Sequence, residues 1–259
     1  MPGDGATSQG TVARPRLLAL LDEGAQRRLV TVVADAGFGK STLLGSWAAG
    51  RPCAWHTVRS EDRSLAAMVS GLVDALRRQV PALSAVLAAE LQGPRGPDAD
   101  AEQETRALAY AAVLAEALEQ NLNDDLVLVL DDLHELRPRD PAARLIEGLV
   151  RVAPSSLHLV VASRTAMPFG IDRLRGRGQV LEIDATAVAF TVPETLEVLR
   201  AVLGDGVEEL AEPLQAAVQG WPAATRLAVE ALRPVPVAER AIRLRRALRS
   251  DGPLYDYLA

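Results

Sequence analysis

The sequence predicts an α/β fold, a parallel sheet with helices on both faces, followed by a small all-helical domain. Short apolar runs alternate with stretches of helical periodicity as far as Asp184. Beyond Asp184 no strand-like run occurs, and apolar residues recur only at helical spacing. Alternating strands and helices are typical of a parallel sheet, because each helix carries the chain back to begin the next strand.

The first part of the chain contains five predicted strands, at residues 29–33, 53–58, 126–130, 157–162 and 180–183. The third of them, 126–130, is a continuous apolar run, which suits a strand covered on both faces by helices. One helix is predicted from Leu65, Met68, Val69, Leu72, Val73, Leu76 and Val80, and a second from Leu108, Ala111, Ala115, Leu118 and Leu122. A third is predicted over residues 141–152.

The second part begins with Thr191 and Glu194, whose spacing is that of a capping box at a helix N-terminus. Three helices follow, marked by Leu196, Leu199, Val202 and Leu203, by Leu210, Leu214, Ala217 and Val218, and by Ala224, Leu227, Ala228 and Leu232. A basic amphipathic helix over residues 240–249 comes next, predicted to bury Ile242, Leu244 and Leu248 and to keep its arginines in solvent.

A glycine-rich segment after the first strand predicts a phosphate-binding loop. It reads Ala34, Asp35, Ala36, Gly37, Phe38, Gly39, Lys40, Ser41 and Thr42, with Ala34 in the first glycine position of G-x-x-x-x-G-K-[ST]. Lys40 is the only lysine among the 28 Lys and Arg residues, and it stands where a compact ammonium must reach phosphate oxygens. The loop opens a predicted helix, whose free N–H groups attract anions. Ser41 would supply a hydroxyl to Mg²⁺.

Two further candidate residues, Asp131 and Asp132, come directly after the third predicted strand. They lie at the carboxyl edge, where parallel sheets bind ligands. We assign Asp131 to Mg²⁺, through water, and Asp132 to polarising the attacking water. The fourth strand leads to Arg164 at the same edge, where its charge is suited to sensing a γ-phosphate.

Composition excludes several classes of protein. The net charge of −6 argues against direct binding of nucleic acid by these residues. No apolar stretch approaches the ~18 residues of a membrane helix, and the N-terminus lacks the apolar core of a secretory signal. The single cysteine, Cys53, cannot form an intramolecular disulfide. We therefore expect a cytoplasmic protein that does not engage a membrane.

These motifs together resemble the STAND class of P-loop ATPases, and within it the MalT-like, large ATP-binding LuxR-type transcriptional regulators. The resemblance rests on the segment 14–18, the loop 36–42, the acidic segment 131–134, residues 162–164, and Gly220, Trp221 and Pro222, which match the family's G-x-P signature. It covers the chain from about residue 12 to its end. Asp35 departs from the family pattern, in which a small residue or proline is more usual at this position, and it places a carboxylate close to the phosphates.

The resemblance implies ATP or ADP as the nucleotide and Mg²⁺ at Ser41 and Asp131, with Arg164 near the γ-phosphate. It places Pro222 against the adenine and carries Trp221 close to the nucleotide. It also makes Arg14 and Arg16 part of a lid on the base or ribose. The implied function is a slow, regulatory ATPase whose ATP and ADP states arrange the two domains differently, and self-association in the ATP state is left open.

The predicted organisation has four parts. Residues 1–12 are expected to be disordered, 13–186 to form the P-loop nucleotide-binding domain, and 187–236 to form the small helical domain. Residues 237–259 are expected to begin a further, winged-helix-like unit that is truncated here. By the resemblance, a DNA-binding domain would follow in a missing C-terminal part, so we expect either a fragment of a longer protein or a stand-alone switch module.

Two alternatives remain open from the sequence. A P-loop kinase or other phosphotransferase would need a lid of arginines, for which Arg173, Arg175 and Arg177 are the candidates. A non-hydrolysing nucleotide-binding module is the other, since the Asp35 carboxylate would weaken phosphate binding if it faced the loop.

Overall fold

The computed structural model describes residues 12–81, 83 and 100–247 of the chain. These residues divide into two compact units. The sheet unit comprises Leu18–Asp35 and Lys40–Ala185. The helical unit comprises, within the described residues, the segments 12–17, 36–39 and 186–247. The tip of the glycine-rich loop therefore groups with the helical unit, although it connects a strand and a helix of the sheet unit.

The sheet unit is built on five parallel strands in the order β2-β3-β4-β1-β5. They are β1 (Leu29–Val33), β2 (Cys53–Thr57), β3 (Leu126–Asp131), β4 (Leu157–Ser163) and β5 (Val180–Ile183). Every residue of β3 is buried, as its apolar run predicts for a strand covered on both faces. The predicted parallel sheet is confirmed, and its central pairs place β4 between β1 and β3.

Helices cover this sheet. They are α1 (Pro15–Gly24), α2 (Lys40–Ala48), α3 (Leu65–Leu76), α4 (Asp100–Asn121), α5 (Pro141–Val152) and α6 (Asp172–Arg175). The short helix α7 (Ala185–Val188) follows, and from Thr186 onward it belongs to the helical unit. The side chain of Ser64 caps α3, because its hydroxyl accepts a hydrogen bond from the Ala67 amide at 3.2 Å. Helix α3 ends at Leu76, four residues before the predicted Val80, yet Val80 remains in the buried core.

One predicted core position of α4 differs. Leu108 is 45% exposed, whereas Ala111 and Leu118 of the same helix are fully buried. The reason lies in Gly148 of α5, where an added Cβ would lie 2.8 Å from Ala111 and 3.1 Å from the Cδ2 atom of Leu108. The missing side chain of Gly148 lets the two helices approach closely, and Leu108 lies at this contact with part of its surface exposed.

The helical unit consists of α8 (Val192–Leu203), α9 (Glu208–Val218), α10 (Pro222–Leu232) and α11 (Val237–Ala247). The predicted capping box is confirmed at the start of α8. The Glu194 amide donates to Thr191 Oγ1 at 3.3 Å, and the Thr191 amide donates to Glu194 Oε2 at 2.8 Å. Among the described residues, no helix of either unit combines the length and apolar character needed to cross a membrane.

Three residues on the predicted apolar faces of the helical unit are exposed: Ala217, Leu227 at 46% and Ile242 at 53%. Leu244 is buried in the same cluster as the residues of α8, α9 and α10, and the partly buried Ala241 of α11 packs against that cluster. Leu248 lies outside the described residues, as do residues 1–11 of the segment expected to be disordered. Val12, the last residue of that segment, packs into the helical core.

Candidate functional site

The glycine-rich loop has the backbone that its sequence predicts. Ala34 is buried at the end of β1, where its amide donates to the Ser163 carbonyl of β4 at 3.2 Å. Gly37 and Gly39 have φ values of 79° and 76°, in the left-handed region that other residues avoid. An added Cβ on Gly39 would meet nothing within 4 Å, so Gly39 is required for its backbone angle alone.

Lys40 begins α2 and is buried, with only 7% of its surface exposed. Its ammonium donates to the carbonyl oxygens of Ala34 at 2.6 Å and Asp35 at 3.0 Å. An ammonium has three N–H groups, so these two bonds within the described chain leave one to reach a phosphate oxygen. The lysine is thus held in place by its own loop, in the position that the motif predicts.

The electrostatic environment of Lys40 comes from the ends of three strands. Burial lowers its pKa, and the charge of Arg164 acts in the same direction. The carboxylates of Asp132, Asp131 and Asp35 oppose this shift without overcoming it. A phosphate group would add negative charge beside this buried ammonium and would therefore stabilise its charged form.

The two acidic residues after β3 have different surroundings. Asp131 is 4% exposed, and its Oδ1 atom accepts the Asp132 amide at 3.0 Å. Asp132 is more accessible and adopts a left-handed conformation, with φ 56° and ψ 37°, at the start of the 3₁₀ turn Leu133–Glu135. Aspartate tolerates this conformation better than most residues, and such outliers concentrate at functional sites. A fixed carboxylate therefore lies next to an accessible one.

His134 follows the acidic pair, and the sequence alone did not assign it a role. Its Nδ1 atom is buried and has no hydrogen-bond partner among the described residues, and it lies 3.8 Å from Asp132 Oδ1. This distance is too long for a hydrogen bond, and Asp132 carries the carboxylate found within 4 Å of this nitrogen among the described residues. His134 is therefore a candidate for orienting Asp132, and its position directly after the Asp-Asp-Leu segment was the available signal.

The remaining predicted residues of the sheet unit lie at its carboxyl edge. Ser41 and Thr42 are exposed in the first turn of α2. Arg164 is exposed beyond the end of β4, in a turn stabilised by the Ser163 hydroxyl, which donates to the Thr165 carbonyl at 2.6 Å. The hydroxyl of Ser41 and the carboxylate of Asp131 are hard oxygen ligands, the type that Mg²⁺ prefers. The donor set therefore fits that ion.

Within the helical unit, the N-terminus of α10 holds the tip of the loop. The indole Nε1 of Trp221 donates to the Ala36 carbonyl at 3.0 Å, and the Ala223 amide donates to the Gly37 carbonyl at 3.1 Å. An added Cβ on Gly37 would lie 2.7 Å from the Ala223 Cβ. Gly37 is thus required both for its φ angle and for this close approach. Phe38, the next residue of the tip, is half-buried.

Gly220 and Pro222 have structural reasons of their own. Gly220 has a φ of 68°, and an added Cβ would lie 2.3 Å from the carbonyl oxygen of Phe190. Pro222 is buried as the first residue of α10, where its missing N–H leaves no hydrogen bond unmade. Between them, Trp221 is half-buried and bonded to the loop, so it is not an ordinary core indole.

The two predicted lid arginines are bonded inside the helical unit. The Arg14 guanidinium donates to the Ala189 carbonyl at 3.1 Å and lies 4.9 Å from the centre of the Phe190 ring. Arg16 donates to the carbonyls of Ala187 at 2.6 Å and Ala189 at 3.0 Å. Both therefore secure the segment before α8, and their contact with a base or ribose stays a prediction.

Glu194 joins these two arginines. Its carboxylate is buried and accepts from Arg14 Nε at 3.4 Å and from Arg16 Nη2 at 3.2 Å. Burial raises the pKa of Glu194, but the hydrogen bond from Thr191 and the charges of the two arginines outweigh burial and leave its pKa lowered. We call Arg14, Arg16 and Glu194 the capping cluster.

The arginines considered for a kinase lid lie away from the loop. Arg173, Arg175 and Arg177 precede β5, at the amino edge of the parallel sheet, whereas Lys40 follows β1 at the carboxyl edge. Arg175 is engaged with Glu182, whose carboxylate accepts its Nε at 2.8 Å. The sheet unit therefore gives the phosphotransferase alternative no support.

Comparison with known proteins bears on this site. A profile of the family described as "AAA ATPase domain" matches residues 14–162. The HTH-type transcriptional regulator MalT of Serratia proteamaculans is 32% identical over 255 residues, which are 96% of this chain and 27% of that protein. The serine/threonine-protein kinase PknK of Mycobacterium tuberculosis is 31% identical over 228 residues, 86% of this chain and 20% of that protein.

Among solved structures, a STAND protein with a tetratricopeptide repeat sensor from Pyrococcus horikoshii aligns with a TM-score of 0.55 and 14% identity. The alignment covers 93% of this chain and 33% of that one. The resemblance read from the motifs is confirmed by these matches. The chain spans about a quarter of the length of the curated relatives, so their names describe much larger proteins.

Proposed function

Because the chain belongs to the AAA ATPase domain family, we propose that it binds ATP with Mg²⁺, hydrolyses it slowly and serves as the nucleotide-dependent switch of a MalT-like, LuxR-type regulator. The observation that carries this proposal is the pair of hydrogen bonds from α10 to the loop tip. These bonds attach helical residues directly to the backbone that is to bind phosphate.

Lys40 is the main phosphate ligand in this proposal. Its ammonium is already fixed on the Ala34 and Asp35 carbonyls, so little side-chain entropy is lost when it meets a β- or γ-phosphate oxygen. The Asp35 side chain is exposed, which supports phosphate binding despite the departure from the motif. The free N–H groups at the start of α2 add further donors.

The carboxyl edge would carry the hydrolysis. Ser41 and Asp131 would hold Mg²⁺, which bridges phosphate oxygens and neutralises the charge that develops on them. Asp132, accessible and next to His134, would accept the hydrogen bond of the attacking water. Arg164 would contact the γ-phosphate, and its present coupling to Lys40 supports a position within electrostatic reach of the phosphates.

The loop tip is where the nucleotide would be sensed. In a trans peptide the C=O and N–H point in opposite directions. Holding the carbonyls of Ala36 and Gly37 therefore orients the amides of Gly37 and Phe38 away from Trp221 and Ala223. A phosphate that draws these amides toward itself acts on the same peptide planes, so phosphate binding and the α10 contact influence one another.

The remaining expectations belong to the same proposal. Pro222 would lie against the adenine, and Arg14 and Arg16 would cover the base or ribose if the nucleotide released them from the segment before α8. The whole regulator would act in the cytoplasm, with DNA binding supplied outside these residues and with self-association in the ATP state. The names of the MalT relatives support the regulatory role.

Phosphate release from Mg-ATP, with no added acceptor, tests the proposed hydrolysis. Slow release that disappears in Asp132→Asn, while calorimetry still detects ATP binding, is the expected result. Binding without release in the unsubstituted protein would support a non-hydrolysing module instead.

The difference in fluorescence between the unsubstituted protein and Trp221→Phe isolates the signal of Trp221. That signal should change when ADP is added.

A further inference from the structure

A polar cavity lies at the amino edge of the sheet unit, at the opposite end of the strands from Lys40. Its volume is about 200 Å³. Its lining includes four arginines, one glutamate and one phenylalanine, which are Arg28, Arg151, Arg173, Arg177, Glu147 and Phe169. We call these residues the amino-edge pocket.

The charge of this pocket is unusual for an acidic chain. The single carboxylate, Glu147, is already bonded to Arg144 at 2.8 Å and to Arg151 at 2.5 Å. Within the described part of the chain, the side chains of Arg173 and Arg177 form no ion pair or hydrogen bond, although the Arg177 backbone amide donates to the Leu174 carbonyl at 3.1 Å. Positive charge therefore accumulates around a cavity in a protein whose net charge is −6.

Arg28 adds a third charge without a carboxylate partner among the described residues. Its Nη1 atom donates to the Ala153 carbonyl at 2.7 Å, at the C-terminus of α5. That bond fixes the side chain beside the cavity but leaves its charge unneutralised. Three guanidinium groups around one cavity repel each other, and an anion between them would remove that repulsion.

We propose that the amino-edge pocket binds a small phosphate monoester. A phosphate group carries a charge of about −1.5 to −2 at neutral pH, and its oxygens match the fork of guanidinium donors. Phe169 is 8% exposed and lines the pocket, so it would pack against an apolar substituent of the ligand. The small volume of the cavity favours a single small molecule over a protein segment.

This site is independent of the proposed nucleotide site. The pocket precedes β1 and β5, whereas the glycine-rich loop follows β1. β1 is five residues long, which corresponds to about 16 Å at the rise of an extended chain. A ligand in the pocket would therefore bind together with ATP, and either proposal can fail without the other.

Calorimetry with phenyl phosphate, at constant ionic strength, tests the proposal on the full chain. Lys40→Ala serves as the background, since it removes the phosphate site of the loop. We expect this variant to bind phenyl phosphate, and the added pair Arg173→Gln and Arg177→Gln to weaken binding at least tenfold. The two glutamine substitutions should not lower the melting temperature of the free protein, because they relieve repulsion and break no ion pair.

Arg78→Gln is the matched control, because Arg78 is an exposed arginine of the same unit outside the pocket. Its affinity for phenyl phosphate should equal that of the background. Loss of phenyl phosphate binding in Lys40→Ala itself would place the anion at the loop and overturn the proposal. Equal binding after the double substitution would overturn it too, as would binding of a glutamate peptide but not of phenyl phosphate.

Discussion

The sheet unit and the helical unit each contain a group of charged side chains, and the two groups are built in opposite ways. At the carboxyl edge of the sheet, Asp132 is accessible in a left-handed conformation, and the buried His134 Nδ1 lacks a partner among the described residues. In the capping cluster, both oxygens of Glu194 accept from arginine. Polar groups without a hydrogen-bond partner can bind a ligand, whereas a cluster whose polar groups are paired with one another stabilises the fold.

This comparison predicts that substitutions in the first group change nucleotide chemistry and that those in the second change stability.

Lys40→Ala should weaken ATP binding at least about 100-fold, because charge-assisted hydrogen bonds to phosphate contribute up to ~3 kcal/mol. The free energy of unfolding should change by less than ~1 kcal/mol, since burial of the ammonium already lowers its pKa and opposes its charged form. Calorimetry and urea unfolding measure the two effects. Lys40→Arg should also bind ATP poorly, because a guanidinium does not fit onto the Ala34 and Asp35 carbonyls. If Lys40→Ala bound ATP as tightly as the unsubstituted protein, the assignment of Lys40 as a phosphate ligand would be contradicted.

Asp132→Asn should slow phosphate release about 100-fold and leave Mg-ATP binding intact, since it removes the acceptor for the attacking water. Asp131→Asn should instead reduce the dependence of ATP binding on Mg²⁺. Single-turnover phosphate release and Mg²⁺ titrations separate the two residues. If both variants released phosphate as fast as the unsubstituted protein, this edge of the sheet would not be the catalytic one.

Glu194→Gln should lower the free energy of unfolding by ~2 kcal/mol, because it leaves the buried Arg14 without its charged partner. Urea unfolding at neutral pH measures the change. Glu208→Gln is the control in the same unit, since Glu208 forms an exposed ion pair with Arg200 at 2.7 Å. Little change is expected there, and equal losses from both variants would contradict the distinction between buried and exposed pairs.

The same carboxylate predicts a dependence of stability on pH. The pKa of Glu194 is lowered in the folded chain, so its contribution is complete above its unfolded pKa of about 4.3. That contribution is lost as the pH falls through the lowered value. Unfolding should be measured between about pH 6 and about pH 3, a range that includes the unfolded pKa of about 4.3. Over this range Glu194→Gln should lose less stability than the unsubstituted chain.

Trp221→Phe should weaken both ATP and ADP binding about fivefold, because it removes one hydrogen bond worth ~1 kcal/mol to the loop. Calorimetry with each nucleotide measures the effect. Trp55→Phe provides the control, since the indole of Trp55 bonds only locally, to Thr57 Oγ1 at 3.1 Å. Loss of ATP affinity without loss of ADP affinity would mean that Trp221 acts through the γ-phosphate and not through the loop backbone.

Much of the fold was predictable because its signals are local. The apolar runs of the five strands lie close to the observed bounds, and the capping box at Thr191 forms as its spacing predicts. The exposure of Leu108 was not predictable, since it depends on Gly148 of another helix. Ile242 likewise follows the helical period but lies on the solvent side of α11, where its exposure depends on which neighbours α11 meets.

The candidate site divides in the same way. The loop from Ala34 to Thr42 and the acidic pair were evident from residue type and order, because strand, turn and helix follow one another along the chain. The bonds of Arg14 and Arg16 to the segment before α8 were not evident, since more than 170 residues separate the partners in several of these bonds.

The sequence by itself determined the phosphate loop, the acidic strand end, the parallel sheet and the helical region that follows, because each depends on neighbours within a few positions. Only the tertiary structure decided that Trp221 and Ala223 bond to the loop carbonyls and that unpaired arginines surround a cavity at the amino edge. Hydrogen bonds and unneutralised charge depend on which distant groups meet, and local spacing carries no information about that.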